Sequence, residues 1–220
     1  MIEERVKKLI SEIPATNSFD EKVTLVAAVK FQTVENINRA IAAGIRDIGD
    51  NHVQEFRDKF SEIQGNPRRH FIGRLQTNKV KYLIGKTDLY HSVDRLNLAQ
   101  EISKRSIETP SNILLEVNVS GEESKGGFSI DEIERACDGI SLLPNLNIVG
   151  LMTMLPNTED YEILRSLAKK TRALYEKLRE KYDKFTTLSM GMSGDYKICV
   201  EAGSNMIRLG TSIFGERIYN

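Results

Sequence analysis

The chain has 220 residues, enough for one large domain with a full core, and its 31 Lys and Arg balance its 31 Asp and Glu to a formal net charge of zero. That balance excludes a general electrostatic attraction to nucleic acid or to an anionic membrane. The two cysteines, Cys137 and Cys199, form no CxxC or Cys/His ligand pattern, and no window reaches the roughly 18 apolar residues of a membrane span, so the expectation is a soluble cytoplasmic protein with reduced thiols.

The amino terminus, MIEERVKKLISEI, lacks the apolar stretch of a signal peptide. Val6, Leu9, Ile10 and Ile13 recur at helical spacing, which predicts an amphipathic helix followed by a polar connection, PATNSFD; residues 1–22 are read as this helix and connection. Strand and helix then alternate. VTLVAAV (23–29) precedes a helix that closes on Gly44, and IRDIG (45–49) precedes NHVQEFRDKFSEI, with Asp50 and Asn51 as caps. HFIG (70–73) and LYHSV (89–93) follow, the latter leading into a helix from Asp94. After ILLEVNV (113–119), Ser129 and Glu132 form a capping-box pattern. LNIVGLMTM (146–154), a long helix over 160–182, FTTLSMG (185–191) and MIRLG (206–210) complete the series.

Eight strands, each followed by a helical segment, predict a parallel sheet with right-handed crossovers. Eight repeats predict an α/β fold closed as a (β/α)8 TIM barrel, a single domain over residues 1–220. The rival is an open doubly wound sheet. It would carry a Gly-rich turn after its first strand, where KFQTVEN stands.

In such a barrel the functional face is the carboxyl end of the strands. Lys30 lies there, at the end of the first strand. It either snorkels to water or is an amine desolvated by Val26, Ala28 and Val29, competent as a nucleophile toward an aldehyde. Arg208 alternates with Ile207 and Leu209 in the last strand, where a guanidinium needs an acceptor. Gly210 and Thr211 then open a short helix with free N–H groups and a hydroxyl, and Gly191, Ser193 and Gly194 form a close-approach turn after the seventh strand. Barrels bind phosphate at these two loops. The set specifies a carbonyl-bearing phosphate ligand: pyridoxal phosphate, with Arg208 toward the pyridine nitrogen, or a phosphosugar forming a Schiff base in an aldolase. These residues alone leave both open. His52, His70 and His91 fall on different elements and are read as core or rim groups, with no metal site. Lys79, Lys81, Lys86 and Lys125 are either a basic rim or an ordinary solvated surface.

AAVK (27–30), GDNHVQE (49–55), HFIGRLQTNK (70–79), HSVDR (91–95), VNVSGEESKGGF (117–128), GLMTM (150–154), LSMGMSGD (188–195) and IRLGTSIFGER (207–217) occur in this order. By these motifs the chain resembles the pyridoxal phosphate homeostasis proteins, single-domain relatives of the alanine racemase barrel, over residues 20–218. The resemblance implies that Lys30 carries pyridoxal 5'-phosphate as a Schiff base. It further implies that Ser193, Gly210 and Thr211 hold the phosphate, that Arg208 faces the pyridine nitrogen and that Asn51 lies near the ring. Val29, Phe31, Asp50 and His52 depart from the family's usual Ser, Thr, Glu and Tyr.

The implied role is to carry and buffer the cofactor in vitamin B6 and amino-acid homeostasis, as a cytoplasmic monomer with cofactor-dependent apoenzymes as recipients. The alternative is a weak amino-acid racemase. That reaction needs an acid or base on each face of the substrate, and the two-domain racemases supply the second from a β-domain and a partner subunit, whereas this chain ends at Asn220. An aldolase, or a scaffold that leaves Lys30 and Arg208 unexplained, stands behind both.

Overall fold

The computed structural model describes residues 1–122 and 125–215, so Glu123 and Ser124 of the 117–128 motif, and Glu216 and Arg217 of the last motif, lie outside the described residues. All eight expected strands form: β1 (Thr24–Ala28), β2 (Asp47–Asp50), β3 (Arg68–Phe71), β4 (Leu89–Val93), β5 (Ser111–Glu116), β6 (Leu146–Met152), β7 (Thr187–Ser189) and β8 (Met206–Leu209). They pair in chain order, all parallel, and β8 closes on β1 with Val26 opposite Arg208. The sheet is a closed (β/α)8 barrel, not the open doubly wound alternative.

The two-residue period of each strand divides the core into layers. Ala27, Ile48, Ile207 and Leu209 point outward beneath one group of helices, and Phe71, Tyr90, Ile113, Leu115, Leu151 and Leu188 beneath another. Their neighbours Val26, Leu89, Leu114, Met152 and Met206 form a separate apolar cluster in the lumen. Five such residues do not fill a barrel of this size, and buried Asp47, His70, His91, Ser189 and Arg208 occupy further interior space.

The helices cover the strands, with some departures from the sequence expectation. In α1 (Ile2–Glu12) Val6 and Leu9 are buried against α2 (Val34–Ala42), but Ile10 is largely exposed and Ile13 lies past the helix end. Asp50 does not cap the next helix, because it is the buried last residue of β2. The N-cap position of α3 (Val53–Lys59) falls to His52, and the final turn to Glu62 is a 3-10 helix. The helical segment expected after β3 is a 3-10 helix, Thr77–Tyr82. The remaining helices are α4 (Leu96–Arg105), α5 (Ile133–Ser141), α6 (Tyr161–Arg179), α7 (Tyr196–Glu201) and α8 (Thr211–Phe214). The reciprocal bonds expected of Ser129 and Glu132 form, with Ser129 N–H donating to Glu132 and Glu132 N–H to the Ser129 hydroxyl, but they close a turn ahead of the helix, which starts at Ile133 and not at Ser129.

The connection after α1 is a clamp, not a slack linker. Glu21 accepts from Arg172 at 2.6 Å and from Arg179 at 2.6 Å, both on α6, while Asn17 donates to Gly203 O at 3.0 Å. The Arg172 guanidinium also lies 3.8 Å over the Phe19 ring.

Candidate functional site

At the carboxyl ends of β1, β7 and β8 lies a cavity of about 250 Å³ lined by Lys30, Gln32, Ser193, Gly194, Arg208, Gly210 and Thr211, with Ala28, Met192, Phe214 and Gly215. Lys30 is set by the way β1 ends. Val29 is buried and donates its N–H to Gly49 O at 3.0 Å, so the half-buried lysine projects from an anchored strand terminus. The chain turns at Phe31, which adopts φ 62° and donates its N–H to the Glu55 carboxylate at 2.9 Å.

Gly191 shapes the loop after β7. Its φ is +112°, and a Cβ there would sit 3.0 Å from Tyr196 Cα and Cys199 Cβ, so only glycine lets the loop press against α7. Ser193 and Gly194 are thereby presented to the cavity; a Cβ on Gly194 would meet nothing within 4 Å. Ser212 N–H reaches the Ser193 hydroxyl at 3.4 Å and joins this loop to the one after β8. In that second loop, Ile213 and Phe214 donate back to Gly210 O, so the Thr211 and Ser212 amides precede the first intrahelical bond.

Arg208 is 6 % exposed and has found its acceptors: Nη1 donates to Ser189 O at 3.0 Å and Oγ at 2.6 Å, and Nη2 to Thr153 O at 3.0 Å. All three are neutral. Burial pushes its pKa down, against the nearby Cys199, Asp195 and Glu116, which act to hold it up. Among the described residues the cavity lining holds an amine, a guanidinium, two hydroxyls and backbone amides, and no carboxylate. Such a donor set suits a ligand with an anionic group at one end, an acceptor opposite Arg208 and a carbonyl within reach of Lys30.

The structure therefore brings together Lys30, Ser193, Arg208, Gly210 and Thr211. Asn51 is not in that lining. It borders a neighbouring cavity of about 670 Å³ with His52, Arg57, Arg74, Lys79 and Arg95, and its Oδ1 is buried without a hydrogen-bond partner among the described residues. The four lysines do not form one rim: Lys79 and Lys81 lie beside Tyr82, Lys86 beside Phe60, and Lys125 pairs with Glu122.

Two features were missed in the sequence. Ser189 is the acceptor that completes the Arg208 site. His70 and His91, read as unrelated, touch at 2.9 Å. Strand parity carried that signal, since both histidines neighbour an outward aromatic residue, Phe71 and Tyr90, on adjacent strands. Glu116, at the end of β5, has its carboxyl pushed up to about 7 by burial, with Asp94 adding to the shift.

The profile of the alanine racemase N-terminal domain matches residues 14–218. A pyridoxal phosphate homeostasis protein of Aquifex aeolicus (strain VF5) is 43% identical over 199 residues, 89% of this chain and 87% of that one. A pyridoxal phosphate homeostasis protein of Vibrio cholerae is 40% identical over 205 residues, 90% of this chain and 87% of that one. The chain belongs to the pyridoxal phosphate homeostasis protein family. PipY of Synechococcus elongatus PCC7942, solved with PLP bound, superposes with a TM-score of 0.89 at 29% identity, covering 98% of this chain and 100% of that one. Alanine racemase of Clostridium difficile 630 shares the barrel fold, with a TM-score of 0.78 at 14% identity, and all of this chain matches 59% of that one. Membership of the pyridoxal phosphate homeostasis protein family thus joins a barrel shared with racemases to a cavity built from the chain's own Lys30 and Arg208.

Proposed function

We propose that this protein is a carrier of pyridoxal 5'-phosphate. The observation that carries the reading is the convergence of Lys30, Arg208 and the two donor loops on one cavity without carboxylates. The cofactor, when bound, would supply an aldehyde, and Lys30 would hold its amine as the nucleophile toward it. Ser193, Thr211 and the amides around Gly210 bind the phosphate. Arg208 orients the ring through its nitrogen and, being a donor only, keeps that nitrogen an unprotonated acceptor.

Two points support a carrier over an enzyme. An unprotonated ring nitrogen is a poor sink for electrons from an amino-acid α-carbon. Among the described residues lining the cavity, Lys30 and Arg208 are the only ionisable side chains, and a guanidinium does not shuttle protons at neutral pH, so only one face of a bound amino acid has a base. A phosphosugar would leave the buried Arg208 without a ring acceptor. We further propose that the barrel acts as one cofactor-binding domain, monomeric and cytoplasmic, passing the cofactor to dependent apoenzymes. The two buried cysteines are free, and burial raises the pKa of both thiols, which suits a reducing compartment. Among the described residues no helix is long and apolar enough to cross a membrane.

The test is the absorbance of wild type and Lys30→Ala with added pyridoxal phosphate, before and after borohydride. A visible band in wild type that borohydride converts to a stable adduct, and that Lys30→Ala lacks, is the expected result; a band unchanged in the variant would remove the cofactor from Lys30. Exchange of an amino-acid α-hydrogen with deuterated solvent, expected to be negligible, separates carrier from racemase.

A further inference from the structure

An unbroken line of buried hydrogen bonds runs through the barrel. Arg208 Nη1 donates to Ser189 Oγ at 2.6 Å, and Ser189 Oγ meets His91 Nδ1 at 3.1 Å across the lumen. His91 Nε2 meets His70 Nδ1 at 2.9 Å, and His70 Nε2 meets Asp47 Oδ1 at 2.9 Å. All five residues are less than 9% exposed. Asp47 also pairs with Arg68 at 2.7 Å, beside a cavity of about 410 Å³ at the amino ends of the strands, lined by Arg68, His70, Leu89, Asn112, Thr187 and Met206. The line therefore joins the two mouths of the barrel.

Its ends dictate its direction. Arg208 can only donate, and an ionised Asp47 can only accept. His70 must then carry a proton on Nε2, and as a neutral ring it accepts at Nδ1. His91 must donate from Nε2 and accept at Nδ1 from the Ser189 hydroxyl, whose oxygen in turn accepts from Arg208. Both histidines are neutral in this arrangement, and it leaves no donor facing a donor. Burial, aided by the Arg208 guanidinium, holds the His91 pKa well below its ordinary value. Burial acts to raise the Asp47 carboxyl, but hydrogen bonds from His70 and Arg68 outweigh it and keep the carboxyl below its ordinary value.

We propose that Asp47, His70, His91 and Ser189 are positioning residues for Arg208, a one-directional relay that makes the guanidinium in the cofactor cavity sensitive to hydrogen bonding at the opposite mouth of the barrel. The last link rests on the cofactor reading above. The charged and titratable groups facing the relay are Arg68 at the Asp47 end, and Glu116, Asp195 and Cys199 around Arg208.

The first measurement is nitrogen-15 NMR of the histidine side chains without cofactor. It is expected to show His91 as a neutral Nε2–H tautomer from about pH 5.5 to 8.5. Asp47→Asn then replaces the acceptor-only end with an amide that can also donate. The expected result is a mixed or reversed tautomer at His91 as well as His70, and cofactor dissociation from the loaded protein accelerated about 5- to 10-fold. A wild-type His91 that titrates in this range or carries its proton on Nδ1 overturns the relay, and this outcome needs no variant to fold. A variant whose change stops at His70 also overturns it. Switched tautomers with unchanged dissociation overturn the coupling to the cofactor cavity. The tautomer readout uses unloaded protein, so failure of the relay is distinguishable from failure of the cofactor reading.

Discussion

On the proposed reading Lys30 and Ser193 hold the two ends of the ligand, and their losses should differ in kind. Removing Lys30 takes away the covalent bond. Ser193→Ala removes one hydroxyl donor to the phosphate and the contact from Ser212 N–H, while the amine stays in place. The expected outcome is an affinity for pyridoxal phosphate weakened about 5- to 20-fold, the loss of one hydrogen bond to a charged group, with the visible band retained at saturation. Titration of the band against added cofactor measures it, and an unchanged affinity would exclude Ser193 from the phosphate site. Two of the four residues read in the sequence as departures from the expected pattern also meet: the Phe31 and His52 rings lie 5.2 Å apart. Phe31 holds a left-handed φ that costs a bulky side chain about 1 kcal/mol, offset in part by its N–H bond to Glu55.

Between the residues and the barrel stand the elements, and the α1–β1 connection is the one whose importance composition concealed. PATNSFD reads as polar filler, yet Glu21 just beyond it accepts from two arginines of α6, and Arg172 is 4% exposed and also bonds Gly203 O at 2.7 Å. Arg172→Met should destabilise the fold by about 1–3 kcal/mol, because it removes the most buried cation paired with Glu21 and one of the two donors to Gly203 O, leaving Arg179 and Asn17 alone in those roles. Urea unfolding checks this, and a loss below about 0.5 kcal/mol would show that solvent replaces the clamp. Such long-range pairs are invisible to local pattern, since nothing in residues 15–21 encodes contact with a helix 150 positions later. What periodicity does encode was legible: all eight strands, their parallel closure and most helices follow from alternation and caps. The 3-10 character of Thr77–Tyr82 was not legible, because the stretch has neither a helical apolar period nor a side-chain cap to mark its form and bounds. The shared cavity was legible for a related reason: Arg208 is a charged residue in an apolar strand, Lys30 lies just past the end of another, and Gly210 and Thr211 sit at a strand-to-helix turn. Asn51 was placed one cavity away because strand order alone does not say how far each loop leans toward the barrel axis.

At the scale of the whole barrel, its carboxyl-terminal mouth buries acids that resist ionisation, and this sets how stability responds to pH. Burial, with Asp94 adding to it, raises the Glu116 carboxyl to about 7, and burial raises Asp50 to about 6. A folded-state pKa above the unfolded value means that the native state binds the proton more tightly. The stabilisation is complete below the unfolded value of 4.5 for Glu116 and is lost as pH rises through about 7. His91 acts in the opposite sense: its depressed pKa gives stability present above its ordinary 6.5 and lost as pH falls below that. Total stability against pH therefore mixes the two, and a single substitution separates them. Glu116→Gln keeps the shape and removes the charge. Its stability should match that of wild type near pH 4 and exceed it near pH 8 by on the order of 2–3 kcal/mol. Urea unfolding at the two pH values reads the difference directly. A gap of the same size at both would mean that packing, not ionisation, separates the proteins, and a wild type more stable than the variant at pH 8 would mean that Glu116 gains more from Arg208 and Arg74 as an anion than burial takes away.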